Sequence, residues 1–171
     1  MKVSFSLATE ADASALAALH TAVSEDLTCR YGPGFWSSKT SERGVLQAIR
    51  SSRVVVAHTR KAIVGTLRLQ TKKPWAIDIS YFTPAKTAIY LIGMAVIPEM
   101  QRKGIGRKLL REAVKQVRAW PADVIRLDAF DADAGAGEFY SKCGFQEVAR
   151  VVYKKDPLIY FELLLRRLRQ K

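Results

Sequence analysis

The sequence has little cysteine, no long apolar run and no metal-ligand pattern, and each absence narrows the classes of protein it could encode. Its two cysteines, Cys29 and Cys143, are far apart and form no Cys-x-x-Cys pair, so neither a metal site nor a redox motif is indicated. No apolar stretch approaches the ~20 residues of a membrane span, and the first residues lack the apolar core of a signal peptide. We therefore expect a cytoplasmic protein that binds no metal and does not associate with membranes.

What the sequence does contain is an ordinary globular composition with an excess of positive charge. Its 171 residues, 49% hydrophobic and 26% charged, fit one folded domain over residues 1–171. The formal net charge of +12 would attract nucleic acid, a ribosome, an anionic lipid or a phosphorylated cofactor, and charge alone does not choose among them. The basic cluster at 166–171 is interpreted as a solvated tail rather than a binding arm.

Hydrophobic periodicity and turn residues predict a chain of mixed strands and helices. The apolar run at 88–97 fits a central strand covered on both faces, and Gly93 within it indicates a bulge or a close approach of backbone to ligand. His20, on the first helix, is interpreted as a structural or surface residue because no partner motif accompanies it. The predicted order begins with a strand at 3–7, a helix from 9, a second helix over 38–51 and a hairpin at 53–59 and 62–69. The strand at 88–97 follows, then a helix from 105 that stops near Trp120-Pro121 and a strand at 123–130. The last elements are a short helix at 135–143 and a closing hairpin at 146–154 and 158–165, divided by Asp156-Pro157.

The stretch 101–110 joins the apolar strand to the following helix through a glycine-containing turn. Gly104 and Gly106 allow a ligand to approach the backbone closely, and basic side chains surround them. The first N–H groups of a helix have no internal partner and lie at the positive end of its dipole, so they stabilise phosphate oxygens. This stretch is therefore predicted to bind phosphate.

Known motifs with glycines at this spacing narrow the kind of phosphate site. The dinucleotide fingerprint needs a third glycine where this chain has Leu109, and the nucleotide-triphosphate loop needs a Gly-Lys-Ser/Thr ending that is absent. Gln101-x-x-Gly104-x-Gly106 instead resembles the Arg/Gln-x-x-Gly-x-Gly/Ala signature of the GNAT superfamily of acetyl-CoA-dependent N-acetyltransferases. The segment 136–145 resembles the Ala-x-x-x-Tyr-x-Lys-x-Gly-Phe segment of the same family. Two motifs in the expected order extend the resemblance to roughly the whole chain.

This resemblance implies an α/β (α+β) fold and a cofactor site. The fold would be a mixed, mostly antiparallel sheet of about six to seven strands flanked by about four helices, with a parallel strand-helix-strand unit at its centre. Acetyl-CoA would be the co-substrate, with its pyrophosphate on the amides of the glycine turn, and Met94 and Val96 would offer main-chain groups to the acetyl carbonyl and the pantetheine arm. Asp133 stands where many members carry Asn. The residues expected to bind the cofactor are Met94, Val96, Gln101, Arg102, Lys103, Gly104, Ile105, Gly106, Arg107 and Asp133.

The resemblance also suggests which residues would act as the general acid and the catalytic base. Tyr140 would lie near the sulfur of coenzyme A and act as general acid, because a phenol of pKa ~10 can return a proton to a thiolate of pKa ~8.5; the competing interpretation is an amphipathic core residue. The base that accepts a proton from the amine is harder to assign, since the strand at 88–97 contains no carboxylate. For Asp78, a turn-forming role is favoured over orienting or deprotonating an amine. Among the candidates for the catalytic base, Asp78 is nevertheless chosen, with a water chain or the carboxylates Glu25, Asp26 and Glu162 as alternatives.

The function predicted from these residues is transfer of an acetyl group from acetyl-CoA to a primary amine, without a metal or a covalent enzyme intermediate. The acceptor would be a small molecule or a peptide, and nucleic acid is not expected as a partner. The alternative is a basic RNA- or ribosome-binding protein that keeps a GNAT-like scaffold without catalysis. The sequence leaves open the acceptor, the choice between acetyl and other acyl donors, and the oligomeric state, with a homodimer among the options.

Overall fold

The computed structural model of the protein describes residues 2–165. The basic cluster at 166–171 lies outside the described residues. Within the described part of the chain, four α-helices and seven strands follow one another. They are β1 (Ser4–Leu7), α1 (Ala13–Tyr31), α2 (Glu42–Ser51), β2 (Arg53–His58), β3 (Ile63–Gln70), β4 (Ala88–Val96), α3 (Ile105–Ala119), β5 (Val124–Phe130), α4 (Gly137–Lys142), β6 (Gln146–Tyr153) and β7 (Asp156–Leu164).

The seven strands form one sheet in the order β1-β2-β3-β4-β5-β7-β6. Antiparallel pairing joins β1 to β2, β2 to β3, β5 to β7 and β6 to β7. β4 and β5 are parallel and are connected through α3, with pairs from Ala88–Val124 to Tyr90–Arg126. The predicted mixed sheet with a parallel strand-helix-strand unit is thus confirmed.

The described chain divides into two compact units. The first contains the residues up to Leu69 together with Gly93–Val114, and the second contains Gln70–Ile92 and the chain from Lys115 onward. Both β4 and α3 therefore contribute residues to each unit.

In the first unit, α1 and α2 cover one face of β2. The predicted apolar stripes supply the contact, because every third or fourth residue of a helix lies on the same face. α1 follows a turn in which the Asp12 carboxylate accepts the Thr9 backbone N–H at 2.7 Å, as the predicted capping box requires. The buried core consists of Ala13, Leu16, Val45, Val54 and Val56.

In the second unit, the segment between β3 and β4 is anchored on the β5-β7-β6 part of the sheet. Sequence alone predicts an irregular aromatic segment here, and the structure shows what fixes it. Tyr160 donates a hydrogen bond to the Ala76 carbonyl and accepts one from the Asp78 N–H at 3.2 Å. A core cluster of the second unit consists of Ile77, Phe82, Tyr90, Leu158 and Tyr160.

The closing hairpin departs from prediction at its turn. Asp156-Pro157 was expected to divide the strands, but both residues belong to β7, and Pro157 stands opposite Val152. The turn is formed by Lys154 and Lys155, whose φ angles are 46° and 76°. A two-residue turn with both φ angles positive matches the twist of the strands it joins, and this geometry outweighs the preference of proline for turns.

Candidate active site

The predicted phosphate-binding turn has the geometry of an uncapped helix N-terminus. A short 3-10 turn, Pro98–Met100, follows β4, and Gly104 has a left-handed φ of 79° just before α3 begins. The first helical hydrogen bond runs from the Lys108 N–H to the Gly104 carbonyl at 3.1 Å. Because a helix gives its first N–H groups no internal acceptor, those of Ile105, Gly106 and Arg107 have no acceptor within α3.

Hydrogen bonds to neighbouring strands hold this turn in place. The Gln101 side-chain amide donates to the Val96 carbonyl at 3.0 Å, which ties the turn back to the end of β4. The Ile97 N–H donates to the Val64 carbonyl at 3.0 Å. Gln101, predicted to bind the cofactor, therefore has a side chain that fixes the backbone of the turn.

Gly65 on β3 lets α3 lie directly on the sheet. A Cβ built at this position would lie 2.9 Å from Leu109 Cδ1 and 3.2 Å from the Ala95 carbonyl oxygen. Ile105 and Leu109, which face it, are buried. Gly65 is not among the residues predicted from the sequence. Its only local signal is that it is a glycine inside a β-rich run, which indicates a close approach of another element.

The outer surface of the turn is exposed and basic. Arg102, Lys103 and Arg107 are all exposed, as a site for phosphate requires. Beside them lies a cleft of about 590 Å³ lined by Asp26, Arg30, Pro98, Gln101 and Arg102. Asp26 accepts two hydrogen bonds from Arg30, so this carboxylate is already engaged within α1.

On β4, the two residues predicted to face the acetyl and pantetheine groups follow a distorted position. Gly93 is exposed and has a left-handed φ of 61°. Such a conformation is readily adopted by glycine and interrupts the regular alternation of a strand. Met94 and Val96 come after it, and both are half-buried.

Tyr140 lies on α4, which ends in the predicted glycine cap. The Phe145 N–H donates to the Tyr140 carbonyl and the Gly144 N–H donates to the Ser141 carbonyl, both at 3.1 Å, while Gly144 has a φ of 91°. This is a Schellman motif, which fixes the last turn of a helix. The ring centroids of Tyr140 and Phe145 are 5.6 Å apart, which supplies the apolar contact that accompanies the motif.

The Tyr140 side chain is buried and only 6% exposed. Burial raises the pKa of its phenol, and the nearby Asp128 carboxylate and Cys143 raise it further. The phenol therefore stays protonated throughout the neutral range and acts as a hydrogen-bond donor rather than as a free phenolate. Its surroundings are compatible with both roles considered for it, the core residue and the proton donor.

The carboxylates predicted near the chemistry have local partners. Asp78 is exposed and accepts hydrogen bonds from the N–H and hydroxyl of Ser80 at 2.9 and 2.7 Å, which lowers the pKa of its carboxyl group. This geometry favours the turn-forming role of Asp78. Glu162 is buried and accepts hydrogen bonds from the N–H and hydroxyl of Thr83. Asp133 is exposed in the turn after β5.

A family model described as the acetyltransferase (GNAT) family matches residues 20–145, from the first helix to the Phe145 turn. The chain belongs to this GNAT family. The family is described as one of acetyltransferases. Within residues 2–165, no cluster of His, Cys, Asp and Glu could hold a metal ion. No helix of the described chain is long and apolar enough to cross a membrane.

Individual relatives agree with this assignment. An aminoglycoside N(6')-acetyltransferase type 1 of Stenotrophomonas maltophilia is 37% identical over 73 residues, which are 40% of this chain and 45% of that protein. The chain thus matches less than half the length of this curated relative. Among solved structures, the PaiA N-acetyltransferase of Thermoplasma acidophilum in complex with coenzyme A has a TM-score of 0.76 at 17% identity, covering 96% of this chain and 100% of its own. Salmonella typhimurium yncA with acetyl-CoA has a TM-score of 0.72 at 18% identity, covering 100% and 98%.

Proposed function

We propose that this GNAT protein transfers an acetyl group from acetyl-CoA directly to a primary amine. The observation that carries the proposal is the turn at 101–107, where an exposed, basic loop precedes helix N–H groups without an internal acceptor. Oriented amides of this kind bind a pyrophosphate through hydrogen bonds and the helix dipole. Two structures with this fold contain coenzyme A or acetyl-CoA, which supports the same donor.

In this proposal, the donor binds through the backbone of the glycine turn and of β4. The amides from Arg102 to Arg107 hold the pyrophosphate. Main-chain groups of Met94 and Val96 hold the thioester and the pantetheine arm, and Asp133 lies at the cofactor. A backbone N–H at the acetyl carbonyl stabilises the oxyanion that forms when the amine attacks, and it does so more strongly in the transition state than in the ground state.

Tyr140 is proposed to serve the leaving group. The amine lone pair attacks the carbonyl carbon, the new C–N bond forms, and the C–S bond breaks to release a thiolate of pKa ~8.5. A phenol O–H that remains protonated can donate a hydrogen bond to this sulfur and stabilise the thiolate as it develops. Because burial raises the pKa of Tyr140, complete proton transfer to the sulfur is less favourable than from an exposed phenol.

The acceptor must present a neutral amine, although a lysine-like amine with a pKa of ~10.4 is mostly protonated at neutral pH. Asp78 is the carboxylate proposed to take this proton in addition to its turn-forming role. The Ser80 hydrogen bonds that give it that role also lower the pKa of its carboxyl group, so it is a weak base. The aminoglycoside relative supports an amine acceptor as a class. Acetylation assays with a series of small amines and peptides would show which of the two classes contains the acceptor.

A pair of glycine variants tests the donor site. Gly104 and Gly32 both have a φ of 79° and open space around them, so Gly104→Asp and Gly32→Asp introduce the same charge with the same backbone strain. We expect the Gly104 variant to lose at least tenfold in acetyl-CoA affinity by calorimetry, about 1.4 kcal/mol, because a carboxylate repels the pyrophosphate. The Gly32 variant should bind like the parent protein. Equal affinities, or no binding by the parent protein, would overturn the proposal.

A further inference from the structure

Arg68 on β3 is a half-buried cation without a counter-charge. Its Nε is buried and has no hydrogen-bond partner. Within residues 2–165, no acidic side chain forms an ion pair with it, and burial lowers the pKa of its guanidinium. Burying an unpaired charge is unfavourable, so an anion from outside the folded chain would stabilise this guanidinium.

His20 lies within electrostatic reach of this guanidinium. Ala13 and Leu16 of α1 pack against β2, and His20 follows them at the spacing that places residues on the same helix face. This position explains why the imidazole is half-buried. Burial lowers the pKa of the imidazole, and the positive charge of Arg68 lowers it further. At neutral pH the ring is therefore uncharged, with one nitrogen able to accept a hydrogen bond.

Gly93 provides open space next to this imidazole. A Cβ built on Gly93 would lie 3.9 Å from His20 Cε1, and Gly93 itself is exposed. The first unit therefore contains a guanidinium without a counter-charge, a neutral imidazole and, at Gly93, an exposed stretch of backbone. Gly93 directly precedes Met94, the residue on β4 that is proposed to contact the donor.

We propose that Arg68, His20 and Gly93 form the acceptor subsite and that the acceptor is an amine carrying a carboxylate. Arg68 binds the carboxylate, and His20 accepts a hydrogen bond from the amine N–H, which orients the nitrogen toward the acetyl group over Gly93. A guanidinium recognises a carboxylate through charge-assisted hydrogen bonds, and none of the residues from 2 to 165 supplies such a partner. This inference rests on the proposed acetyl transfer and names its substrate class. A polycationic acceptor would instead meet a second, uncompensated positive charge.

Paired acceptors test the substrate class. We would compare acetylation of glycine with glycinamide, of phenylalanine with phenylalaninamide and of γ-aminobutyrate with its amide, and add ethanolamine, ethanolamine phosphate and spermidine. At least one carboxylate should be preferred over its amide by tenfold or more in kcat/KM. Arg68→Gln should remove the preference by raising KM, Arg68→Lys should retain part of it, and Arg60→Gln, an exposed arginine in the β2–β3 turn, should retain all of it. Equal use of acids and amides, or a preference for the phosphate or the polyamine, would overturn the inference.

A second measurement does not depend on the acceptor chosen. Thermal unfolding of Arg68→Met should occur at the parental temperature or above, and acetate should raise the unfolding temperature of the parent protein, relative to chloride at equal ionic strength, but not that of the variant. A lower unfolding temperature for Arg68→Met, or an equal acetate effect in both proteins, would mean that Arg68 is structural. If amines are acetylated without regard to the carboxylate, only this inference fails; if acetyl-CoA does not bind, the proposed function fails.

Discussion

Arg126 in the second unit and Arg68 in the first unit both lie in sheet strands, buried and half-buried respectively, and their side chains have different partners. Arg126 on β5 is 5% exposed, donates from Nη2 to the Thr83 carbonyl at 2.7 Å, and its Cζ lies 5.0 Å from the centroid of the Phe82 ring. It stands opposite Glu162, whose carboxylate is 2% exposed. The Nε of both arginines is buried without a hydrogen-bond partner, but within residues 2–165 Arg68 has no counterpart of the Thr83 hydrogen bond or the Phe82 ring contact. Arg126 is thus held by the scaffold, whereas Arg68 is the arginine proposed to bind a ligand.

The backbone shows the same contrast. In the second unit, the short 3-10 turn at Ile79–Tyr81 is capped by Asp78, which accepts the Ser80 N–H. In the first unit, α3 begins after Gly104, which has no side chain that could cap it. A cap would occupy the amides that an incoming phosphate needs. The N-terminal amides of α3 therefore stay available for the phosphate that we propose they bind, whereas the amide at Ser80 is already occupied.

Removal of Arg126 should have the largest effect. Arg126→Met leaves the buried Glu162 carboxylate without the charge opposite it, and we expect a loss of about 3–5 kcal/mol in the free energy of unfolding, measured with urea. Adding Glu162→Gln should recover much of this loss, which a double-mutant cycle would quantify. Arg68→Met is the matched substitution in the first unit. If Arg126→Met lowered the free energy of unfolding no more than Arg68→Met does, the proposed difference between the two arginines would be wrong.

Tyr140 tests whether the second unit also contributes to the chemistry. In Tyr140→Phe, the ring packing remains but the hydroxyl is lost, so kcat should fall about 100-fold if the phenol serves the leaving thiolate. The calorimetric affinity for acetyl-CoA should change by less than about twofold, because this role is confined to the transition state. Tyr153→Phe, on β6, is the control. An unchanged kcat would assign Tyr140 to the core alone.

The smallest effect concerns the pH dependence of stability. The pKa of His20 is lowered in the folded state, so below about pH 6.5 the unfolded chain binds a proton that the folded protein does not, and stability declines as the pH falls. His20→Gln should lose less stability than the parent protein between pH 7.5 and 5.5, as measured by urea unfolding at each pH. His58→Gln, at the other histidine of the chain, provides the control. Parallel curves for the parent protein and His20→Gln would show that His20 is not held neutral.

Features encoded by neighbouring residues could be predicted from the sequence. The capping box at Thr9 and Asp12, the glycine turn at Gly104 and the Schellman motif at Gly144 all depend on φ preferences and side chains within a few positions, and all three are present. The exception is the turn at Lys154 and Lys155. Lysine has no preference for positive φ, so this turn is imposed by the pairing of β6 with β7 rather than by its own residues.

The sequence by itself therefore determined the glycine turn that we propose binds the donor, because a turn built from consecutive residues is a local structure. Only the tertiary structure decided which partners each arginine has, why Gly65 is required and which residues meet at the proposed acceptor subsite. Arg68, His20 and Gly93 come from β3, α1 and β4, and nothing in the spacing of these residues along the chain indicates that they meet. Their juxtaposition follows from α1 packing across the sheet, which buries the apolar stripe and carries His20 with it.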